Sequence, residues 1–148
     1  MVRYMTEEDY PLLEKLWKII HGFRNRAVDD SKVGISRFLQ RNPEMSVVAE
    51  YNGTIVGSIL CGHDGRCGML YHVCVAEAYR QQGIGKAMVE KVLEALKREK
   101  INMVTLIAFA DNDIGNQFWQ KMGWLKKADI NYYEFVINPS NIIKINMQ

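Results

Sequence analysis

Proline, cysteine and histidine are each represented only three times in this 148-residue chain. The cysteines (Cys61, Cys67 and Cys74) are an odd number, and none forms a C-x-x-C pair, so neither a disulfide framework nor a Cys-based metal site is indicated. Cys61 and Cys67 flank a glycine-rich turn at which they are near enough in sequence to pair, but free thiols in a reducing compartment are the simpler account. A net charge of +2 with no run of basic residues leaves no track for a polyanion, so nucleic acid is not expected as a partner. No apolar stretch approaches 18 residues and the N-terminus lacks an apolar signal region, which predicts a cytoplasmic protein that does not engage a membrane. Linkers, repeats and low-complexity segments are also missing. With 48% hydrophobic and 24% charged residues, the expectation is one globular domain over residues 1–148, long enough to bury a two-layer core without metal or disulfide.

What is present is a regular succession of short elements. Met1 to Met5 reads as a strand. Thr6 or Asp9 then caps a helix carrying Leu13, Leu16, Trp17 and Ile20 at helical spacing. Gly22 to Asp30 is polar and basic and reads as a loop. Ser31 caps a second helix with Ile35, Phe38 and Leu39, which Asn42-Pro43 ends. Strands are predicted at Met45 to Tyr51 and Thr54 to Leu60, joined by the hairpin signal Asn52-Gly53. A glycine-rich reversal from Gly62 to Gly68 leads into a strand at Met69 to Val75. Beyond Gly85 a helix carries Met88, Val92 and Leu96 on one stripe, with Val89 and Leu93 beside it. Ile101 to Phe109 is the next strand, and Asn112 to Met122 a helix closed by Gly123. Trp124 to Leu125 and Tyr132 to Ile137 are read as a final pair of strands. The order β-α-α-β-β-β-α-β-α-β-β predicts an α+β fold: a twisted, mostly antiparallel sheet of about six or seven strands with one β-α-β crossover, flanked by about four helices.

The most informative stretch is Val75-Ala-Glu-Ala-Tyr-Arg80-Gln-Gln-Gly83-Ile-Gly85-Lys86-Ala87. Glycines between a strand and a helix let backbone N–H groups converge on one point, where the helix macrodipole adds positive charge. Such a turn serves either packing alone or a pyrophosphate. A P-loop is excluded, because Arg80 stands where a glycine is needed and Ala87 where Ser or Thr is needed. A Rossmann fingerprint lacks its third glycine.

Together with Val73-Cys74-Val75 before it and Asn112-Asp113-Ile114-Gly115-Asn116-Gln117-Phe118-Trp119 through Gly123-Trp124 after it, this stretch resembles the GNAT superfamily of acyl-CoA-dependent N-acyltransferases. The match is detailed from about Met45 to Val136. The resemblance implies acetyl-CoA as co-substrate, with no metal, and transfer of its acetyl group to a primary amine of a small molecule or peptide by direct attack in a ternary complex. It also implies cofactor contacts from Val73, Cys74 and Val75 to the pantetheine arm, from Gln81, Gln82, Gly83, Ile84, Gly85 and Lys86 to the pyrophosphate, and from Asn112 and Trp119 near the acyl end. A non-catalytic acetyl-CoA-binding sensor or partner module would carry the same loop.

Two positions depart from the family. Many members have a Tyr where this chain has Trp119, whose indole is not a usable acid. Some carry a Glu base where this chain has Ile107. The remaining proton-handling candidates are Tyr71, on the strand parity of Val73 and Val75, and Tyr133 on a late strand, with His72 assigned to the opposite face. Tyr132, Asp111 and Asp113 lie nearby in sequence. Acceptor specificity is expected from the first two helices and the loop holding His21, Phe23, Arg24, Arg26, Asp29 and Asp30. The turn with His63 and Asp64 is a further candidate for lining the acceptor side. Related folds often pair through their last strands, so the Ile142-Ile143-x-Ile145 tail is either an added strand or a contact in a homodimer.

Overall fold

In a computed structural model, which describes residues 1–147, five strands form the main sheet in the order β1-β3-β4-β5-β6. These are β1 (Val2–Tyr4), β3 (Val47–Tyr51), β4 (Thr54–His63), β5 (Cys67–Val75) and β6 (Met103–Leu106). All neighbours are antiparallel except β5 and β6, which the crossover helix α3 (Ile84–Arg98) joins in parallel. The hairpin at Asn52-Gly53 forms as its residue types demand, since both have positive φ, 51° and 73°.

Helix α3 covers one face with Met88, Val89, Val92, Ala95 and Leu96, all buried. The other face is covered by α1 (Tyr10–Ile19) and α2 (Lys32–Arg41). Leu13, Leu16 and Trp17 of α1 face inward, and the Trp17 indole donates to the Ser58 hydroxyl at 3.0 Å. Helix α2 starts where Ser31 Oγ accepts from Gly34 N, the cap that its sequence predicts. Helix α4 (Asp113–Lys121) begins under Asn112, whose side chain accepts from Gly115 N, and ends before Gly123 at φ 90°.

The polar stretch Gly22–Asp30, read as a loop, holds a strand β2 (Arg24–Arg26), which pairs antiparallel with β7 (Ile143–Ile145). Arg-Asn-Arg has no apolar alternation, so nothing local marks it. The strand exists because the distant Ile-rich tail supplies its partner, which also settles that tail as an added strand. The reverse holds at Trp124–Leu125 and Tyr132–Ile137. These residues have strand-like composition, but neither stretch is a strand, and Tyr133, Phe135 and Ile137 stand 86%, 90% and 91% exposed. The main sheet accordingly has five strands.

Within β5, Ser58 pairs with Cys74 and Leu60 with Tyr71, so one residue of β4 faces both His72 and Val73. This is a β-bulge, and His72 takes a positive φ of 49° to make it. The bulge breaks the alternation on which Tyr71 was grouped with Val73 and Val75. Tyr71 and His72 both turn to the α1–α2 face, against Phe38 and Phe23 respectively.

Candidate active site

The site is built where two parallel strands stop being partners. Pairing between β5 and β6 ends at Leu70 with Leu106. Beyond it, residues 71–75 and 107–111 diverge and leave a V-shaped gap. That is why the predicted strand Ile101–Phe109 is regular only over Met103–Leu106. Ala76 N–H bonds back to Val56 O at 2.7 Å. By strand alternation, the backbone groups of Val75 and Val73 therefore point the other way, into the gap. Cys74, between them, turns toward β4, with its Sγ 3.5 Å from Ser58 Oγ.

At the end of the gap nearest α3, the chain turns through Gln81 (φ 61°) and Gly83 (φ 81°), both left-handed. Gly83 supplies the N-cap position but has no side chain to cap with. Among the described residues, none of the N–H groups from Gln81 to Lys86 has a hydrogen-bond partner. They form a row of free donors at the positive end of a 15-residue helix. Gln81, Gln82, Gly83 and Lys86 are exposed, Ile84 is anchored in the core, and a Cβ on Gly85 would come within 3.2 Å of the Phe118 ring. The Arg80 side chain folds back so that Nε donates to Val75 O at 2.9 Å, tying this turn to the strand.

Helix α4 closes the far side. Asn112 spends its side-chain oxygen on its own helix, at 3.0 Å from Gly115 N, and its N–H on Phe109 O. Trp119 is a buried core residue between Phe118 (ring centroids 5.0 Å apart) and Trp124 (4.7 Å). Ile107, half exposed, brings no titratable group to the gap.

On the α1–α2 face lies a cluster of side chains. His72 Nε2 is 2.7 Å from Asp30 Oδ1, and Asp30, almost fully buried, also accepts from Arg26 N. The His72 ring packs at a tilt against Phe23 (4.3 Å) and Trp17 (5.0 Å), which stack on each other. Beside it, burial pushes the Tyr71 phenol above its ordinary value, with the Arg26 charge opposing and Asp29 reinforcing the rise. Arg24 lays its guanidinium over the Phe109 ring, 3.7 Å from the centroid. Thus Phe23 and Arg24 bridge the mouth of the gap, one resting beside the β5 bulge and the other beyond β6. The segment through Tyr132 approaches the same corner, and its phenol donates to Glu134 at 2.7 Å. Tyr133 has no hydrogen bond among the described residues, and its side chain is turned to solvent. His63 and Asp64 lie at the opposite end of β4 and β5, where Asp64 accepts from Arg66 N and Cys67 N; those donors hold its carboxyl below the usual range.

Two of the three cysteines are held as unreactive thiols. All three are free; burial pushes Cys61 up to about 12 and Cys74 up to about 11, the latter against hydrogen bonding from Ser58. Among the described residues no group of three His, Cys, Asp or Glu side chains is arranged to hold a metal ion. The Asp30–His72 pair joins positions 42 apart in sequence, and no periodicity or motif links them. Arg24 was within the segment marked for acceptor specificity, but its stacking on Phe109 has no local signal.

Residues 8–124 match the family model described as the acetyltransferase (GNAT) family. A protein named an acetyltransferase in Yersinia pestis (strain Pestoides F) is 30% identical over 123 residues, which cover 83% of this chain and 86% of that protein. Among solved structures, an N-acetyltransferase from Thermoplasma acidophilum in complex with coenzyme A has a TM-score of 0.73 at 17% identity, covering 97% of this chain and 95% of that one. An aminoglycoside N-acetyltransferase in complex with CoA has a TM-score of 0.70 at 16% identity, covering 92% and 99%. These two likenesses are likenesses of fold.

Proposed function

This chain belongs to the acetyltransferase (GNAT) family, and from that premise we propose that it moves acetyl from acetyl-CoA to a primary amine of a small molecule or peptide, by direct attack in a ternary complex. One observation carries the reading. An uncapped helix N-terminus with a row of unpartnered N–H groups abuts a gap into which strand-edge backbone groups point. The first feature suits a pyrophosphate and the second an amide-bearing arm that completes the sheet.

In this reading the N–H groups of Gln81, Gln82, Gly83, Ile84, Gly85 and Lys86 hold the pyrophosphate. Val73 and Val75 pair with the pantetheine arm, with Cys74 fixing the strand between them. The amine nitrogen enters from the α1–α2 face and attacks the thioester carbon. Val75 N–H meets the developing oxyanion, because Val75 O is already engaged by Arg80 while its N–H is free. Collapse breaks the C–S bond. The ammonium proton passes to water, and the thiolate, with an ordinary pKa near 8.5, leaves without a dedicated acid. Tyr71 stays neutral at physiological pH and serves as a hydrogen-bond donor to the acceptor rather than as a base. Tyr133 has no part in this arrangement while its segment stands in solvent. Asn112 and Trp119 act by holding α4 against the gap.

The second reading is a non-catalytic acetyl-CoA-binding module, favoured by the indole at Trp119 and the aliphatic chain at Ile107. Mass spectrometry separates the two. Purified protein is incubated with acetyl-CoA and a panel of amino acids, polyamines, aminoglycosides and N-terminal peptides. An acetylated product supports the transferase. Saturable acetyl-CoA binding with no CoA release across the whole panel supports the module.

We read residues 1–148 as one domain and assign it to the cytoplasm, a reading supported by three unpaired thiols. Among the described residues, no helix is long and apolar enough to cross a membrane. A second copy of the chain is the further partner in this reading. Tyr132, Tyr133 and Phe135 are exposed on residues 125–137, and among the described residues the outer edge of β6 has no partner strand. Burying about 150–250 Å² per aromatic on both copies, together with the surface they cover, reaches the roughly 1,200 Å² of a stable interface. Light scattering at micromolar concentration is expected to return twice the chain mass.

A further inference from the structure

Of the two arginines in this cluster, Arg26 is spent on Asp29, at 3.4 Å. Among the described residues, Arg24 has neither a carboxylate within ion-pair distance nor a hydrogen bond. Its Nε is also, among the described residues, the single buried side-chain nitrogen or oxygen without a partner. Buried donors are almost always satisfied, so a part-exposed side chain with an unpaired Nε and no carboxylate partner carries a charge the fold leaves uncompensated, which an anion from outside can meet at the terminal guanidinium nitrogens.

The surroundings hold this side chain ready. Strand β2 pairs with β7 in a fixed register, Arg24 opposite Ile145. The guanidinium carbon lies 3.7 Å from the centroid of the Phe109 ring, a contact that holds the side chain in place without spending its N–H donors. The nearby carboxylates are already committed. Asp30 takes His72 and Arg26 N, and Asp29 takes Arg26 and the Asn141 side-chain amide. The free positive charge is thus preserved, on the face from which the amine approaches.

We propose that Arg24 binds an anionic group, a carboxylate or a phosphate, carried by the amine acceptor, so that the substrate is an amine bearing a negative charge. This rests on the transferase reading for the identity of the ligand as acceptor, but the anion seat itself does not. A guanidinium fork suits either oxyanion through paired N–H···O bonds. The Phe109 ring gives the seat one apolar wall.

The test has a binding arm and a turnover arm. In the binding arm, calorimetry measures glutarate and inorganic phosphate against CoA-saturated protein, for the wild type, Arg24→Gln and Arg26→Gln. The expected result is saturable binding of at least one anion to the wild type, weakened about tenfold or more in Arg24→Gln and retained in Arg26→Gln, with acetyl-CoA affinity unchanged in both. Which anion binds identifies the source of charge. In the turnover arm, lysine is compared with cadaverine, and phosphoethanolamine with ethanolamine. The charged member of a pair is expected to be preferred, and Arg24→Gln to abolish that preference through KM. Failure of both anions to saturate the wild type overturns the proposal, as does an Arg24→Gln protein that binds them normally. Anion binding that depends on Arg24 with no amine acetylated keeps the seat and sinks the transferase reading. Acetylation indifferent to charge and to Arg24→Gln does the opposite. Equal thermal midpoints for wild type and Arg24→Gln exclude misfolding as the cause.

Discussion

The two sides of the V-shaped gap are made of different material. On the α3 side the candidate contacts are backbone: free N–H groups from Gln81 to Lys86 and the exposed strand edge of Val73 and Val75. On the α1–α2 side they are side chains: Arg24 on Phe109, His72 on Asp30, and Tyr71 on Phe38. A backbone site needs only particular conformations, so glycines and a helix start suffice, and the other side chains there are free to vary. A side-chain site needs particular residues brought from distant parts of the chain, and each can be changed without moving the fold. The difference lets the side-chain wall change while the backbone wall keeps its geometry.

Substitutions at the boundary of the two sides sharpen this contrast. The largest effect is expected at Trp119, whose indole packs between Phe118 and Trp124. Trp119→Ala removes a buried ring and should cost about 3–5 kcal/mol in a denaturant titration. Trp119→Phe should retain turnover within a few-fold, because the residue acts by packing; a collapse of kcat in a stably folded Trp119→Phe would return the indole to the chemistry.

Next comes the backbone side. Gly83 sits at φ 81° with open space around it, so a larger residue meets no clash and suffers only from the left-handed conformation. Gly83→Val should cost about 2 kcal/mol of binding, roughly thirtyfold in acetyl-CoA Kd, by strain that moves the N–H row. Gln82→Ala, which keeps that backbone, should bind nearly as the wild type does.

A smaller effect is expected for Tyr71→Phe: about a tenfold loss in kcat/KM for the acceptor with acetyl-CoA affinity intact. Burial raises this phenol, so its protonated, donating form persists through neutral pH and is lost only as pH climbs past its raised value, above about 10. Activity that rises with titration of Tyr71 below pH 9 would make it a base and contradict the assignment. The smallest effect is chemical: at pH 8, iodoacetamide should spare Cys61 and Cys74 in the folded protein, since burial holds both thiols protonated.

The same division governs what could be read from the chain alone. The order of the elements through α4 apart from β2, the crossover helix and the glycine turn are local patterns, and each is visible in a window of a dozen residues. The bulge at His72 is not, because it depends on β4 holding Ser58 opposite Cys74 while Leu60 pairs with Tyr71. It sent Tyr71 to the α1–α2 face instead of leaving it beside Val73 and Val75. Strand β2 was equally hidden, being polar and requiring a tail more than a hundred residues away. Conversely, Tyr132 to Ile137 has every compositional mark of a strand and no partner among the described residues. Pairing is a property of two segments, and composition describes only one.

The central claim is that a row of backbone N–H groups, rather than any side chain, receives acetyl-CoA. Amide chemical shifts in a ¹⁵N-labelled sample titrated with acetyl-CoA test it most directly. The account predicts saturable shifts concentrated at Gln81 to Lys86 and at Val73 and Val75, with slowed hydrogen exchange at those positions. Saturable binding that leaves the 81–86 amides unmoved, or no binding at all, would contradict it.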